Sequence, residues 1–475
     1  MWDVAVVGAG VGGCYLAHRL AGPGTALFEA TGRIGGRLRS AALPGLPGVV
    51  AEYGATRFDA SEHTVTDLLR HLGLAAEAVP FPVGRPENLA HLRGTALRTR
   101  DLLAPTAALP YRLRADERGR TADGLTELAA ERALPGFAAL RAEAGAAGVE
   151  RYRQARRAAR WRGRALHEVP WTAVLDAELS PEAAQLVQDG GGYDQRSAAG
   201  SAAHWLDTLA QSPPGAGLRR LRCGFEELPR ALHRRFTAAG GTTFLHHRLT
   251  GLERTAGGYR LRFDRTAADA RAVVLALPQR AAAALLPADG AAFRRGLHSQ
   301  HPVPAVKLFL TYPGAWWRRA GVARGRSTTD LPNRQLWYWH TPEDDGPAAL
   351  LAVYADGPAH RPWAGPDPAA PAGRAHASAV RLHGLDGVPA PVAARRQVWP
   401  VAWPVWRPGF EADEVIPAMR RPLPGEPVYW VNDAWTPRPG SVEGVLQAAE
   451  RVLRHDFALP PPPWLRAGAT CWDRS

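Results

Sequence analysis

A glycine-rich loop near the N-terminus is the feature that most constrains the fold of this chain. An apolar run of strand type, Trp2 to Val7, leads directly into Gly8-Ala9-Gly10-Val11-Gly12-Gly13, and a helical pattern follows the loop. A second short strand, Thr25 to Phe28, then ends on the acidic residue Glu29. A strand, a glycine loop, a helix and a strand that ends on an acid form a unit that binds dinucleotides in many α/β proteins.

The glycines of this loop have separate physical roles. Gly8 permits the tight turn out of the strand, Gly10 lets a pyrophosphate approach the backbone, and Gly13 lets the helix pack closely against the strand. The helix N-terminus supplies free N–H groups and the positive end of the helix dipole for the phosphate charge. Glu29 lies where an acid accepts hydrogen bonds from ribose hydroxyls. An ordinary turn is the alternative, but a turn alone does not require both strands, the helix and the acid.

A second glycine-arginine loop follows Glu29 and favours FAD over a simple nicotinamide dinucleotide. It reads Gly32-Arg33-Ile34-Gly35-Gly36-Arg37, and Arg33, Gly36 and Arg37 are its expected cofactor-binding residues. Arg37 can neutralise a diphosphate through paired hydrogen bonds. The alternative is a solvated basic loop. With this motif the chain resembles the FAD-dependent amine oxidase superfamily, which contains the flavin monoamine oxidases and the L-amino acid oxidases.

The resemblance implies an α/β fold with two parts. One is a Rossmann-like FAD-binding domain of the GR2 type, and the other is an inserted α+β substrate-binding domain. We expect the FAD-binding domain to be discontinuous and the substrate-binding domain to have a helical part. The expected segments are 1–74, 217–296 and 421–456 for the FAD-binding domain, 75–216 and 297–420 for the substrate-binding domain, and 457–475 for a C-terminal tail.

The resemblance also implies further contacts with FAD. The segment Gly54-Ala55-Thr56 would pass the flavin ring, and Leu249 would make a backbone contact with adenine. Asp433 would replace the longer glutamate that meets the ribityl chain in family members. Val442 and Glu443 open a predicted helix whose N–H groups would face the pyrimidine oxygen of the flavin.

Length and composition limit the remaining possibilities. The chain has 475 residues, of which 46% are hydrophobic, so two or three domains with buried cores are expected. No apolar run of about 18 residues predicts a membrane span, and the N-terminus has no secretory signal pattern. The three cysteines, Cys14, Cys223 and Cys471, lack the spacing of metal ligands. Their odd number is typical of a reducing cytoplasm, and we expect no metal and no membrane partner.

The positive charge suggests a different class of function. The formal net charge is +13, and seven arginines lie between Arg151 and Arg164 together with Tyr152 and Trp161. Such a segment can follow a phosphate backbone. However, no nucleic-acid-binding module is recognisable, and a charged helix face is usually just solvated. We therefore expect no nucleic-acid partner and retain nucleic-acid binding as an improbable alternative.

A single lysine stands out among the basic residues. Of the 58 lysines and arginines, Lys307 is the only lysine, and it lies in an apolar strand pattern, Val303 to Leu310. Arginine is planar and effectively always charged, whereas lysine is a compact donor with an adjustable pKa. Chance can also leave one lysine anywhere, so this observation depends on its context.

Within the superfamily, the chain most resembles the L-tryptophan oxidases of violacein biosynthesis. The motifs that carry this closer resemblance are Tyr53-Gly54-Ala55-Thr56-Arg57-Phe58, Gly192-Tyr193-Asp194, Lys307 with Phe309-Leu310-Thr311-Tyr312, Trp316-Trp317, Tyr354 and Asn432-Asp433-Ala434-Trp435.

This closer resemblance implies three catalytic residues. Arg57 would bind the amino acid carboxylate, Lys307 would lie near flavin N5, and Tyr354 would contribute to the substrate pocket. Arginine suits the first role because it binds a carboxylate through two parallel charge-assisted hydrogen bonds. The alternatives are a surface ion pair of Arg57 with Asp59 or Glu62 and a purely structural place for the Tyr354 ring.

The remaining predicted pocket residues are aromatic except for one. Tyr193, Trp403 and Trp435 are expected to form apolar walls together with Tyr354, although the two tryptophans could equally belong to the core. Ser441 stands where the tryptophan oxidases have a tryptophan, which removes an aromatic wall and weakens the prediction of indole specificity.

The sequence thus predicts an FAD-dependent L-amino acid oxidase. Hydride would pass from the substrate Cα to flavin N5, and oxygen would complete the cycle, giving an imino acid and hydrogen peroxide. The expected substrate is an aromatic, tryptophan-like L-amino acid in secondary metabolism, and a homodimer is possible. The alternative is an FAD-dependent desaturase or amine oxidase that acts on a natural-product intermediate without a carboxylate.

Overall fold

We describe the fold from a computed structural model of the chain. The structure describes residues 1–468 except 105, 107, 145–147, 195–199, 214, 216, 288–289 and 368–369.

The strands and helices follow one another along the whole chain. The strands are β1 (Trp2–Val7), β2 (Thr25–Phe28), β3 (Ser40–Leu43), β4 (Leu46–Glu52), β5 (Phe58–Asp59), β6 (Ala78–Pro80), β7 (Leu89–Leu92), β8 (Thr95–Arg98), β9 (Arg160–Trp161), β10 (Arg164–Ala165), β11 (Leu218–Leu221), β12 (Thr242–Phe244), β13 (Leu249–Thr255), β14 (Gly258–Phe263), β15 (Ala267–Leu275), β16 (Gln300–Tyr312), β17 (Arg326–Thr329), β18 (Gln335–His340), β19 (Ala348–Asp356), β20 (Ala393–Trp406) and β21 (Val428–Trp430). The α-helices are α1 (Val11–Arg19), α2 (His63–His71), α3 (Thr99–Leu102), α4 (Ala122–Ala133), α5 (Phe137–Glu143), α6 (Val149–Ala158), α7 (Trp171–Glu178), α8 (Pro181–Gly190), α9 (Ala202–Ala210), α10 (Glu227–Ala238), α11 (Gln279–Ala283), α12 (Ala291–His298), α13 (Ala370–His383), α14 (Ala412–Arg420) and α15 (Val442–Asp456).

The first sheet is built around parallel strands from distant parts of the chain. Its parallel order is β12-β2-β1-β15-β21, and the hairpin β14-β13 pairs with the first half of β15. Val4 and Val6 of β1 pack on one face, while Ala5 and Val7 pack on the other. Because both faces are covered, the strands are apolar throughout, as expected for a parallel sheet.

Helices cover both faces of this sheet. On one face lie α1, α2, α10 and α15, whose apolar residues form a core with Val4 and Val6. On the other face, α11, α12 and α14 pack together with the β13-β14 hairpin. The carboxyl ends of the parallel strands, where ligands bind in open α/β sheets, therefore meet the N-termini of α1 and α15.

The second sheet is mainly antiparallel and has the order β20-β16-β19-β18-β17-β7-β8. Its register sets one row of side chains, because Lys307 of β16 lies opposite Tyr354 of β19 and Gln397 of β20. Neighbouring residues in such a row project from the same face of the sheet. The fold thus places Lys307 and Tyr354 side by side.

Most of the elements between β8 and β11 are helices, and among them α5 ends at Glu143 and α6 begins at Val149. The first half of the arginine-rich segment is paired with acids of the chain. These pairs are Arg151 with Glu143, Arg153 and Arg157 with Asp413, and Arg156 with Glu411 and Asp207. Pairing removes much of the free charge that favoured phosphate binding.

Among the described residues, no helix combines the length and the apolar character needed to cross a bilayer.

The C-terminal tail docks on the first sheet's helices rather than forming a free extended arm. The Trp464 ring stacks on His71, with centroids 5.0 Å apart, and meets Tyr15 edge-on at 6.3 Å. Arg466 forms an ion pair with Asp67 at 2.6 Å. The one sign of this docking in the sequence is a tryptophan after a proline run. The residues that the tail contacts lie about 400 positions earlier in the chain.

We predict that Trp464→Ala lowers the free energy of unfolding by about 2 kcal/mol, since about half of a large aromatic surface loses its contacts. Chemical denaturation of the purified protein measures this change. Leu103→Ala is the matched control, because Leu103 is 52% exposed and should cost almost nothing. Equal stability of the two variants would contradict tail docking.

Candidate active site

A cavity of about 630 Å³ lies between the two sheets. It extends from the glycine loop of β1 to the row of Lys307 and Tyr354. Most residues predicted to bind cofactor or substrate line it: Gly8, Gly10, Glu29, Arg33, Gly36, Arg37, Gly54, Ala55, Thr56, Arg57, Leu249, Lys307, Tyr354, Trp403, Asp433, Ser441 and Val442. Four predicted residues, Gly13, Tyr193, Trp435 and Glu443, lie outside its lining.

The glycine loop shows why two of its positions exclude a side chain. Gly8 has a φ of +106°, and a Cβ there would approach the Ala276 carbonyl oxygen to 2.4 Å. A Cβ at Gly13 would lie 1.8 Å from the Gly8 carbonyl oxygen, so only glycine allows α1 to pack here. A Cβ at Gly10 would meet no atom within 4 Å and would project into the cavity. The open side of Gly10, beside the first-turn N–H groups of α1, fits a pyrophosphate.

Glu29 lies at the same end of the cavity, and backbone N–H groups fix its carboxylate. Its Oε2 accepts a hydrogen bond from the Ala9 backbone N–H at 2.8 Å, and its Oε1 accepts from the Thr31 backbone N–H at 2.9 Å. Oε1 also accepts from the Thr31 hydroxyl at 2.8 Å, so Oε2 is the oxygen that can accept a further bond from a ribose hydroxyl. The glycine loop, the helix N-terminus and this acid together fit the adenosine diphosphate part of FAD.

The two loop arginines are already engaged with the chain. Arg33 donates to Glu226 Oε1 at 2.7 Å and to the Leu38 carbonyl oxygen at 3.0 Å, so it holds the loop. Arg37 forms a two-pronged ion pair with Asp433, with one bond at 2.8 Å. The expectation of a free Arg37 for the diphosphate is therefore corrected, since a long-range acid neutralises it. The Arg37–Asp433 pair as a unit lines the cavity.

The start of α15 also differs from expectation. Ser441 caps the helix, because its Oγ accepts a hydrogen bond from the Gly444 N–H at 2.9 Å. The Glu443 carboxylate points away from the cavity and accepts bonds from the backbone N–H groups of Thr64 and Val65 at the start of α2. Glu443 thus fastens two helices together, and Val442 is the residue of this helix start that lines the cavity beside Ser441.

Lys307 is enclosed by oxygen atoms of the segment from Glu52 to Thr56, at the end of β4. Its Nζ donates to the carbonyl oxygens of Glu52, at 3.0 Å, and Gly54, and to the Thr56 hydroxyl. The residue is only 3% exposed, and Nζ lies 4.9 Å from the centre of the Tyr354 ring. Burial lowers the pKa of Lys307 to about 7, although the charge of Glu52 opposes this change and that of Arg57 reinforces it.

Arg57 is half-buried and faces the cavity without an acidic partner. Its guanidinium donates to the Tyr193 hydroxyl at 2.8 Å and lies over the Trp337 ring. Among the described residues, no carboxylate oxygen lies within 4 Å of it. The alternative ion pairs do not form, because Asp59 accepts from Ser61 and Glu62 pairs with Arg438.

Arg57 and Tyr193 each change the pKa of the other. Burial by itself would lower the pKa of Arg57, but the hydroxyls of Tyr193 and Tyr354, together with the charge of Glu62, outweigh burial and raise it. Burial would raise the pKa of Tyr193, yet the charges of Arg57 and Arg326 hold it below its usual value. Arg57 therefore stays charged, and it lies beside a tyrosine hydroxyl that is more acidic than usual.

Aromatic rings enclose this end of the cavity. The Tyr193 ring meets Tyr354 edge-on at 5.6 Å and Trp403 at 6.1 Å, so Tyr193 supports the lining from behind. Trp399 also lines the cavity and donates from Nε1 to the Tyr53 carbonyl oxygen at 2.7 Å. Sequence reasoning missed Trp399, although it lies four residues before Trp403 in one strand.

Trp435 does not belong to the pocket, contrary to expectation. Its Nε1 donates to the Gly296 carbonyl oxygen and the Ser299 hydroxyl, both at 3.1 Å, and its ring packs edge-on against Trp430. It is a core residue under the first sheet.

Within the described ranges, no cluster of three or more histidine, cysteine or acidic residues could hold a metal ion.

The fold and this cavity define a dinucleotide-dependent oxidoreductase of the flavoprotein type. The sequence model of the flavin-containing amine oxidoreductases matches residues 16–453, and the chain belongs to this family. The predicted fold class, the FAD cofactor and the amine or L-amino acid oxidase class are thereby confirmed. The protein is an FAD-dependent oxidoreductase with a small-molecule substrate and oxygen as acceptor.

Relatives match most of the chain at low identity. Aplysianin-A of Aplysia kurodai is 26% identical over 97% of this chain and 91% of its own length. The L-amino-acid oxidase of Mus musculus is 26% identical over 76% of this chain and 55% of its own length. Among solved structures, cyclohexylamine oxidase from Brevibacterium oxydans IH-35A has a TM-score of 0.71 and 19% identity, covering 95% of this chain and 97% of its own. A putrescine oxidase variant has the same TM-score at 17% identity, with 96% and 98% covered. These two structures show a shared fold.

The glycine loop gives a paired prediction about FAD. Gly10 has a φ of −71°, which any residue adopts, so Gly10→Ala should keep the stability of the protein without cofactor. Its methyl group would project into the cavity and raise the FAD dissociation constant about tenfold or more. Gly13→Ala should reduce both stability and FAD affinity, because its Cβ clashes with the backbone. Thermal melting and flavin fluorescence titration separate the two outcomes, and normal FAD affinity in Gly10→Ala would contradict the pyrophosphate assignment.

Proposed function

We propose that this protein is an L-amino acid oxidase that holds its substrate by the α-carboxylate. The observation that carries the proposal is the Arg57 guanidinium, which faces the cavity and has a hydroxyl but no carboxylate as partner among the described residues. A partly buried cation without an ion-pair partner favours an anionic ligand. An amino acid supplies that anion, whereas a simple amine does not.

The carboxylate would fix the orientation of the substrate. Arg57 can donate two parallel hydrogen bonds to it, which sets the direction of the Cα–H bond, and Tyr193 keeps the guanidinium in place. FAD, when bound, accepts the hydride that leaves Cα. The part of the chain in this step is therefore to bind and orient the substrate and to exclude water from the reacting carbon.

The charges of the cavity favour a neutral substrate amine. Arg57 and Lys307 both line the end of the cavity near Tyr354, while Asp433, the acid that lines it nearby, is paired with Arg37. Two cations disfavour a protonated amine beside them. The same charges argue against a diamine or a strongly basic side chain as substrate.

An aromatic side chain is our proposal for the rest of the substrate. Tyr354, Trp399 and Trp403 line the cavity, and rings of this kind pack edge-on or offset against a planar ligand. Ser441 supplies a small hydroxyl that is occupied in capping α15. The preferred ring, a role in secondary metabolism, a cytoplasmic location and a homodimer stay predictions.

We predict that Arg57→Ala lowers kcat/KM for an aromatic L-amino acid about 10²-fold or more, since two charge-assisted hydrogen bonds of about 1.5 to 3 kcal/mol each are lost. Steady-state peroxide formation measures the loss, and the flavin absorbance should stay unchanged. Arg260→Ala is the control, because Arg260 is an exposed arginine paired with Asp269 and should act like the unaltered protein.

Unchanged kinetics in Arg57→Ala would remove the carboxylate contact from the proposal. The alternative would then be an amine oxidase or desaturase whose substrate has no carboxylate. That alternative predicts flavin reduction by amines in both the unaltered protein and the variant.

We also propose that Lys307 assists the reaction with oxygen by holding a water molecule or moving a proton near the flavin. Lys307→Met should bind FAD normally and react with oxygen about tenfold more slowly or worse, because the buried amine is lost. Stopped-flow mixing of the reduced enzyme with oxygen measures this rate. Leu308→Met, the next residue of β16, introduces the same side chain in the opposite core and should react normally. A normal rate in Lys307→Met would refute the role.

A further inference from the structure

The Lys307 side chain has the hydrogen-bond geometry of an ammonium group. A protonated amine donates three hydrogen bonds and accepts none, and Nζ has three oxygen acceptors around it. A neutral amine has two N–H donors, enough for the two carbonyl oxygens, and its lone pair would then need a hydrogen from the Thr56 hydroxyl. That hydroxyl instead donates to the Gly54 carbonyl oxygen at 3.5 Å, so its own oxygen is left to accept from Nζ. The surroundings therefore favour the positive form at a site that is 3% exposed.

A buried ammonium requires a negative charge nearby, and no carboxylate oxygen among the described residues lies within 4 Å of Nζ. Carbonyl and hydroxyl dipoles alone offset only part of the desolvation of a charge. The residue that supplies the first of these carbonyls, Glu52, also carries an acidic side chain that is 1% exposed.

The Glu52 carboxylate accepts hydrogen bonds from two neutral donors. Its Oε1 accepts from the Phe225 backbone N–H at 2.7 Å, and its Oε2 accepts from the Ser40 hydroxyl at 2.7 Å. Both bonds favour the ionised acid, but no cation in the described part of the chain forms an ion pair with it. Burial raises the pKa of Glu52 to about 7, while these two hydrogen bonds and the charges of Lys307 and Arg220 act in the opposite direction.

We propose that Glu52 is the counter-charge of Lys307, and that the two residues form one buried acid–base couple beside the cavity. The Glu52 backbone orients the amine through its carbonyl oxygen, and its side chain stabilises the positive charge through the electrostatic field. Glu52 is thus a positioning residue that acts through Lys307.

Other ionisable groups surround the couple and contribute to its titration. Arg57 acts against the charge of Lys307, and the Tyr354 ring lies against Nζ. On the other side, Arg220 favours the ionised form of Glu52. Glu226 lies next to the couple, where its Oε2 accepts from the Ser40 backbone N–H, but it pairs with Arg33.

The couple matters for the proposed function because an ammonium at this position disfavours a protonated substrate amine. The charge on Lys307 would then change with pH in the range in which the substrate must bind. This consequence rests on the proposed role of Lys307, whereas the couple itself is a property of the folded protein and is tested without substrate.

The sequence makes a direct test possible, because Lys307 is the only lysine. Protein labelled with carbon-13 at lysine Cε gives one lysine signal, whose chemical shift between about pH 5 and about pH 10 reports the protonation of Nζ. We expect Glu52→Gln to lower the pKa of Lys307 by about one unit or more, because the opposite charge is lost. Glu52→Asp, which keeps the charge, should restore most of the shift.

Glu226→Gln is the matched control, since Glu226 is an equally buried glutamate that also contacts Ser40. It should leave the pKa of Lys307 almost unchanged. An unchanged pKa in Glu52→Gln, or an equal decrease in Glu226→Gln, would overturn the proposal.

The unaltered protein provides a second measurement that does not depend on any variant folding. Two coupled sites titrate in two macroscopic steps, so the Cε shift should show an inflection from Glu52 as well as one from Lys307. A single step near 10.5, the usual pKa of lysine, would also overturn the proposal.

Discussion

The two sheets of this protein meet at a buried amine. Lys307 belongs to the antiparallel sheet, but its Nζ is bonded to the segment from Glu52 to Thr56, which follows the glycine loops of the parallel sheet. A charge in this place is stable only because three oxygen atoms and a nearby acid surround it. The position of the cavity follows from this contact, because it fixes the row of Lys307 and Tyr354 against the segment from Glu52 to Thr56.

Charge is distributed along the cavity according to the ligand each part is suited to bind. At the dinucleotide end, bare backbone and a helix N-terminus face the phosphate position, and Glu29 is available for ribose. In the middle, the Arg37–Asp433 pair is neutral as a unit. At the far end, Arg57 and Lys307 leave an excess of positive charge among aromatic rings. This distribution of charge suits both the polyanionic cofactor and the amino acid that we propose as substrate, because like charges are not placed together.

The features that could be predicted from sequence are those set by local backbone geometry. The glycines of the first loop, the following helix and Glu29 are close in sequence, and steric limits on the backbone specify them. Lys307 was expected in a strand and Tyr354 in the substrate pocket, but only the register of β16 and β19 places the two residues opposite each other. Other residues depend on distant partners. Arg37 is neutralised by Asp433, Glu443 binds the start of α2, and Trp435 packs in the core.

Glu52 and Trp399 were missed for a related reason. Glu52 looks like the end of an ordinary strand until its burial and the approach of Lys307 are known. Trp399 is one of several tryptophans in β20, and the sequence does not show which of them faces the cavity. Long-range packing decides both cases, and no local pattern reports it.

The most direct test of the central claim is an anaerobic titration of the purified yellow protein with matched pairs of ligands. Each pair contains an aromatic L-amino acid and the amine that results from its decarboxylation. The account predicts that at least one amino acid bleaches the flavin absorbance, that its amine does so far less readily, and that peroxide forms when air is readmitted. Bleaching by the amines and not by the amino acids would contradict the carboxylate contact at Arg57.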